Sequence, residues 1–206
     1  MRPIPNLRKL PAPQDSDLKW TPLLDPPEAN DSDHTLWDID AETEVSQRDR
    51  DLLRWVIMST PKQELLVEIG VDRNGTNSFT WTMISERGNG YYIGIDRDNK
   101  SFIDQPDKRI LTIKGDSSHM SHFLSIVNDL GLWDIDVLLI DGWHSVNQVL
   151  RDWRYADMVR GAVVFHDTNA HPGPMLVFDA IDELKWRKEK FFENERDYGM
   201  AVAWRI

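Results

Sequence analysis

The chain has 206 residues, of which 40% are hydrophobic and 29% charged, and its formal net charge is −11. That length suits one domain with a sizeable core, and the acidic balance argues against nucleic acid as the main partner, because a polyanion is repelled at long range. Cysteine is absent, which excludes disulfides, thiolate metal sites and cysteine nucleophiles and fits a reducing, cytoplasmic compartment.

Seven of the eleven prolines fall within the first 27 residues. Proline removes donors and blocks helix, so residues 1–35 are expected to form an extended arm. With Trp20, Leu23 and Leu24 it can pack on the domain, join a second copy in a homodimer, or remain a loose tail. The opening "MRPIPNLRKLPAPQ" lacks a continuous apolar segment, so no secretory signal is expected. Nor does any apolar run reach the roughly 18 residues of a membrane helix.

Residues 36–206 are expected to form the domain proper. "AETEVSQRDRDLLRWVIMST" carries apolar residues near helical spacing, with Asp40 or Thr43 as cap and Pro61 as stop. Strands are then predicted at "LLVEIGV", "YYIGID", "RILTIKGD", "IDVLLID" and "GAVVFHD". Helices are predicted at "TNSFTWTMISERG", "SHMSHFLSIVNDLG", "SVNQVLRDWRYADMV" and, from Pro174, "PMLVFDAIDELKWRKEK". Within the last of these, "KWRKEK" reads as a solvated helix face. "KFFENER" and "MAVAWRI", joined through "DYG", read as a closing hairpin. Apolar strands alternating with amphipathic helices predict an α/β, Rossmann-like, doubly wound and mostly parallel sheet.

Ligands of such sheets bind beyond the carboxyl ends of the strands, so the residues that end strands carry the information. "VEIGVDRNGTNS" offers Gly70 and Gly75 for a tight turn and Glu68 for a cationic amino group. It is neither GxGxxG nor a P-loop, which disfavours a nicotinamide-dependent dehydrogenase. Asp96 is placed to accept from both hydroxyls of a ribose. Asp116, with Ser117 nearby, is placed to accept from an adenine amino group. An amino-acid end, a ribose and an adenine together describe S-adenosylmethionine (SAM). Asp141 and His144, at the mouth of "VLLIDGWHS", read either as a helix cap or as a catalytic centre.

The ordered set "VEIGVDRNG", "GIDRD", "GDSS", "LLIDGWHS" and "VVFHDT" resembles the class I SAM-dependent methyltransferases. Within that class it is similar to the group of rhamnosyl O-methyltransferases and proteins labelled cephalosporin hydroxylases. The resemblance spans roughly residues 62–206. It implies a seven-stranded sheet whose C-terminal strand runs antiparallel to the rest. It also implies SAM bound by Glu68, Gly70, Gly75, Asp96, Asp116, Ser117 and Asp141. His144 is then the general base, working beside Asp141. Asp141, His166 and Asp167 fall where relatives hold Mg²⁺ or another divalent cation. His166 stands where relatives often have Glu, and imidazole favours softer ions than Mg²⁺. Alternatively His166 stands behind the ligands, and Thr168 or Asn169 supplies an oxygen. His171, in "TNAHPGP", is a further residue of the substrate mouth. The reaction implied is methyl transfer to a hydroxyl of a small molecule or sugar. A nitrogen, protein or nucleic-acid acceptor, or a binding protein of this fold without turnover, stays open.

Overall fold

The computed structural model describes residues 46–72, 90–191 and 198–206. The proline-rich arm, Asp40, Thr43, Gly75 and the helix predicted at 76–88 lie outside the described residues.

The first described helix, α1, spans Gln47–Ser59. Ser46 starts it through a reciprocal capping box: Ser46 Oγ accepts from Asp49 N, and Asp49 Oδ2 accepts from Ser46 N at 3.0 Å. The cap of this helix is therefore Ser46, downstream of both predicted caps. At the other end, the β-conformation of Thr60 stops it one residue before Pro61.

Seven strands follow: β1 Leu65–Ile69, β2 Tyr91–Asp96, β3 Ile110–Lys114, β4 Ile135–Ile140, β5 Val159–His166, β6 Trp186–Phe191 and β7 Met200–Arg205. Their spatial order is β3-β2-β1-β4-β5-β7-β6. Strands β1 to β5 pair in parallel, and β7 pairs antiparallel with both β5 and β6. Six strands thus share one direction, and the C-terminal strand alone is reversed. The chain winds outward from β1 to β3, then returns to the other side of β1 with β4. That reversal opens a crevice above the carboxyl ends of β1 and β4.

The central strands are buried throughout, as parallel strands covered on both faces must be. Alternation sends their side chains to two cores. Leu65, Val67 and Ile69 join Phe123, Val127, Val149 and Phe178, which come from helices α2 Ser121–Leu130, α3 Val146–Asp152 and α4 Pro172–Asp179. Leu66, Tyr92, Val137 and Val164 face the opposite way, onto Leu52, Trp55 and Val56 of α1 and onto Trp204.

Three expectations change. "KWRKEK" is not a helix face: residues 186–191 form β6, an edge strand. The helix predicted from Pro174 starts at Pro172 and ends at Asp179. The helix predicted over 145–159 stays α-helical only to Asp152 and tightens to 3₁₀ over Trp153–Met158. No helix of the described residues is long and apolar enough to cross a membrane.

Candidate functional site

Gly70 sets the geometry where β1 ends. Its φ is +89°, and a Cβ there would lie 2.1 Å from the Asp141 carbonyl oxygen. Only glycine fits both conditions, so the ends of β1 and β4 close to backbone contact. Gly70 N donates to Ile95 O at 2.9 Å and Asp141 N to Ile69 O at 2.8 Å. Three strand ends are thereby tied together.

Above them lies a cavity of about 840 Å³. Gly70, Asp96, Asp116, Ser117, Asp141, His144, His166 and Asp167 all line it. Glu68 does not. It points to the α1 face, is 2% exposed, and accepts a hydrogen bond from the Tyr92 hydroxyl. Burial and that carboxylate hold the Tyr92 phenol well above its ordinary range. The alternation that buries Leu66 buries Glu68 with it, so Glu68 buttresses the turn from behind.

Asp96 accepts from Val71 N and Asp72 N at 3.0 Å each and from Asp98 N at 2.8 Å. Its carboxylate therefore links the end of β2 to the β1 turn while facing the cavity. Asp116 accepts from Ser118 N at 2.8 Å, and bonds from Ser118 hold its carboxyl below the usual range. Ser117 is tied down more firmly. Its hydroxyl donates to Asp152 Oδ1 at 2.6 Å and accepts from Gln148 Nε2 at 3.0 Å, while Tyr155 Oη donates to its carbonyl. Asp152 is fully buried, and desolvation pushes its pKa up to about 6 despite those hydrogen bonds.

The other half of the cavity holds the imidazoles. His144 Nε2 lies 2.9 Å from Asp167 Oδ2 and 3.7 Å from Asp141 Oδ1. Burial opposes charging this ring, but the two carboxylates outweigh it and raise the pKa to about 9. Asp167 sits at φ +61°, a left-handed conformation that a non-glycine residue adopts at a cost and that turns its carboxylate into the cavity. Burial raises its pKa, but His144 and His166 more than reverse that and hold it well below the ordinary range. His166 Nδ1 lies 3.3 Å from Asp141 Oδ1 and 3.2 Å from Asp167 Oδ1. Asp141, His166 and Asp167 each bring one ligand-type atom within 4.8 Å of the others, and so do His144, Asp167 and His171.

The expected set thus converges, except for Glu68 and for Gly75, which lies outside the described residues. His171, expected at the substrate mouth, lines the cavity, and its ring stacks on His144 with centroids 4.3 Å apart. Sequence reasoning missed Gln148 and Tyr198, which line the cavity, and Asp49, whose Oδ2 lies 3.4 Å from His166 Nε2. Gln148 follows the Ser145 cap by three residues, a spacing that places it back over the strand ends, so that signal was present.

No protein-family model matches the chain, and no curated protein sequence matches it. Solved structures do. CmcI superposes with a TM-score of 0.56 at 16% identity, over 79% of this chain and 72% of that one. CalS11, a TDP-rhamnose 3′-O-methyltransferase of calicheamicin biosynthesis, gives 0.54 at 11% identity, over 78% and 82%. MycE, a methyltransferase of mycinamycin biosynthesis solved with Mg, S-adenosylhomocysteine and mycinamycin VI, gives 0.52 at 20% identity. That match covers 70% of this chain, which spans only 45% of the length of MycE. At these identities the likeness establishes the fold: the seven-stranded sheet has the Rossmann-like architecture of SAM-dependent methyltransferases.

Proposed function

We propose that this chain, built on the methyltransferase fold, binds SAM in the crevice above β1 and β4 and transfers its methyl group to a hydroxyl of a small molecule or sugar. The observation that carries the reading is convergence. The carboxylates of Asp96, Asp116, Asp141 and Asp167, ending four successive parallel strands, line one cavity at the point where the strand order reverses. A crevice lined by these carboxylates suits a cationic sulfonium ligand.

The residues present fit that ligand at its ribose and adenine ends. Asp96 faces the cavity at the end of β2, the position for ribose hydroxyls, and Asp116 and Ser117 flank the end of β3, where an adenine edge would rest. Gly70 leaves room for close backbone approach, and Asp141 closes the pocket on the other side. Asp141 and Asp167, with His166 beside them, fit a divalent cation: His144 Nε2 and His166 Nδ1 are buried beside carboxylate oxygens without a well-formed hydrogen bond. Bound there, SAM supplies an electrophilic methyl group on a sulfonium, and the cation supplies charge neutralisation beside the acceptor oxygen.

His144 is the proton acceptor of this reading. His144 lines the cavity with its Nε2 beside Asp167, and it would take the proton of a hydroxyl placed there. With SAM bound, methyl transfer from its sulfonium to the acceptor oxygen would release the hydroxyl proton, and Nε2 would take it. Asp167 and Asp141 steady the imidazolium that results. Positioning supplies most of the acceleration, since the methyl donor is already activated. Trp143, 73% exposed at the rim, offers an apolar face to the acceptor.

Calorimetric titration with SAM, followed by incubation of labelled SAM with a panel of hydroxylated acceptors, tests the reading. SAM binding with label transfer to a hydroxyl is expected. His144→Ala should abolish transfer while SAM affinity stays within about twofold. A cavity that ignores SAM would overturn the reading, and transfer undiminished in His144→Ala would remove the base.

A further inference from the structure

We propose that His166 ligates a divalent cation through Nδ1, held in register by Asp49 of α1, so that this site takes a transition ion in preference to Mg²⁺. The inference rests on the crevice described above for its location, but not on methyl transfer.

Both nitrogens of the His166 imidazole are buried among carboxylates. The His166 side chain is 6% exposed, and neither of its nitrogens has a well-formed hydrogen bond. Three carboxylates surround it. Asp141 and Asp167 approach Nδ1 at 3.3 and 3.2 Å, and Asp49 approaches Nε2 at 3.4 Å from the opposite edge. A neutral ring that pointed a lone pair at two carboxylates with nothing between would be repelled. A cation in that space turns the repulsion into coordination, with two carboxylate oxygens and one nitrogen as donors.

Asp49 then supplies the remaining half of a recurrent arrangement. A metal-bound histidine gives its other N–H to a carboxylate, which fixes the tautomer and makes the ligand more basic. Asp49 is 3% exposed, and its Oδ2 is itself anchored by Ser46 N at 3.0 Å and by Ser46 Oγ at 2.7 Å. One oxygen atom thus faces two ways, bonded to the start of α1 and set 3.4 Å from the ring of His166. Asp49 is a positioning residue here, acting through His166.

The donor set decides the ion. Mg²⁺ favours oxygen ligands and near-ideal octahedral geometry, whereas imidazole nitrogen favours the later first-row ions. A site with a buried nitrogen donor should therefore discriminate against Mg²⁺.

The test uses the full chain, stripped of metal and titrated with Co²⁺, Mn²⁺ and Mg²⁺ against a chromophoric chelator, with the visible absorption of Co²⁺ as the report on its ligands. Co²⁺ should bind at least about tenfold more tightly than Mg²⁺ and show nitrogen coordination. His166→Gln, which keeps volume, and His166→Ala should both lose that spectrum. His166→Glu should bring Mg²⁺ level with Co²⁺. Asp49→Asn should weaken Co²⁺ by about tenfold to hundredfold. Its metal-free thermal midpoint should move little, because the amide oxygen still accepts from Ser46. Equal Co²⁺ affinity in wild type and the His166 variants would overturn the proposal. So would Mg²⁺ binding as tightly as Co²⁺, or loss of Co²⁺ in His171→Ala with retention in His166→Ala. So would a protein that binds no divalent ion and carries protons on both His166 nitrogens by ¹⁵N NMR. SAM calorimetry on the same samples separates these outcomes from failure of the methyltransferase reading.

Discussion

In the proposed role of base, His144 faces a conflict that its surroundings create. A general base must be unprotonated, yet Asp141 and Asp167 raise its pKa to about 9. Without a cation to offset those carboxylates, turnover should climb with pH until about 9, and a bound divalent ion should move that rise to lower pH. The same shift has a stability consequence. The folded value lies above the unfolded 6.5, so the contribution is complete below pH 6.5 and is lost as pH rises through about 9. In EDTA, the thermal midpoint of wild type should fall over that window more steeply than that of His144→Ala; parallel curves would refute the coupling. Asp152 behaves likewise at lower pH. Its folded value of about 6 exceeds the ordinary 3.8, so its contribution is present below pH 3.8 and is lost as pH rises through about 6. Asp152→Asn removes that loss, and the midpoint difference, variant minus wild type, should grow between pH 4 and 7.

Helix α4 sits against the loop that carries His144. A Cβ on Gly173 would lie 2.1 Å from the His144 carbonyl oxygen, far inside the 3.0 Å that real Cβ atoms keep. Gly173→Ala must therefore push the loop, and a misplacement of about 1 Å costs on the order of 100-fold in rate. Turnover should fall steeply in this variant while SAM affinity holds; unchanged turnover would show that the helix gives way instead. The elements also mark what the sequence could and could not disclose. Strands β2, β4 and β5 were legible because largely apolar runs ended on acidic residues, and so Asp141, His144 and Asp167 were legible with them. Strand β6 was not. Its alternating charges suit a half-buried edge, where Lys188 and Lys190 reach across to the end of α4, and the same letters suit a solvated helix. Asp49 was hidden more deeply. Its own neighbours explain it fully as a capping residue, and nothing local shows that β5 will end beside it.

Over the whole molecule, the two ends of the sheet divide the labour. The carboxyl ends gather the cavity, and the amino ends are locked by charge. Asp136 is 1% exposed and accepts from Glu64 N, Leu65 N and Arg160 Nε, while Arg160 also reaches Glu64 and Asp134. Removing Arg160 leaves a buried carboxylate short of its cation. Arg160→Ala should cost about 1.5–3 kcal/mol, the range for hydrogen bonds to charged groups, read as a lower denaturation midpoint. Affinity for SAM should not change, because the cluster lies at the far end of the strands. A weakened ligand affinity would mean that the two ends communicate.

The oxygen that Asp49 shares between Ser46 and His166 makes the entrance to α1 a reporter. Whatever occupies the space beside Nδ1 alters the grip of Nε2 on that oxygen, and so alters how firmly the Ser46 amide is held. Deuterium uptake at Ser46 would then slow when the ion is added, although no atom of Ser46 faces the ion. The first turn of α1 would register the filling of a recess at the far side of the Asp49 carboxylate.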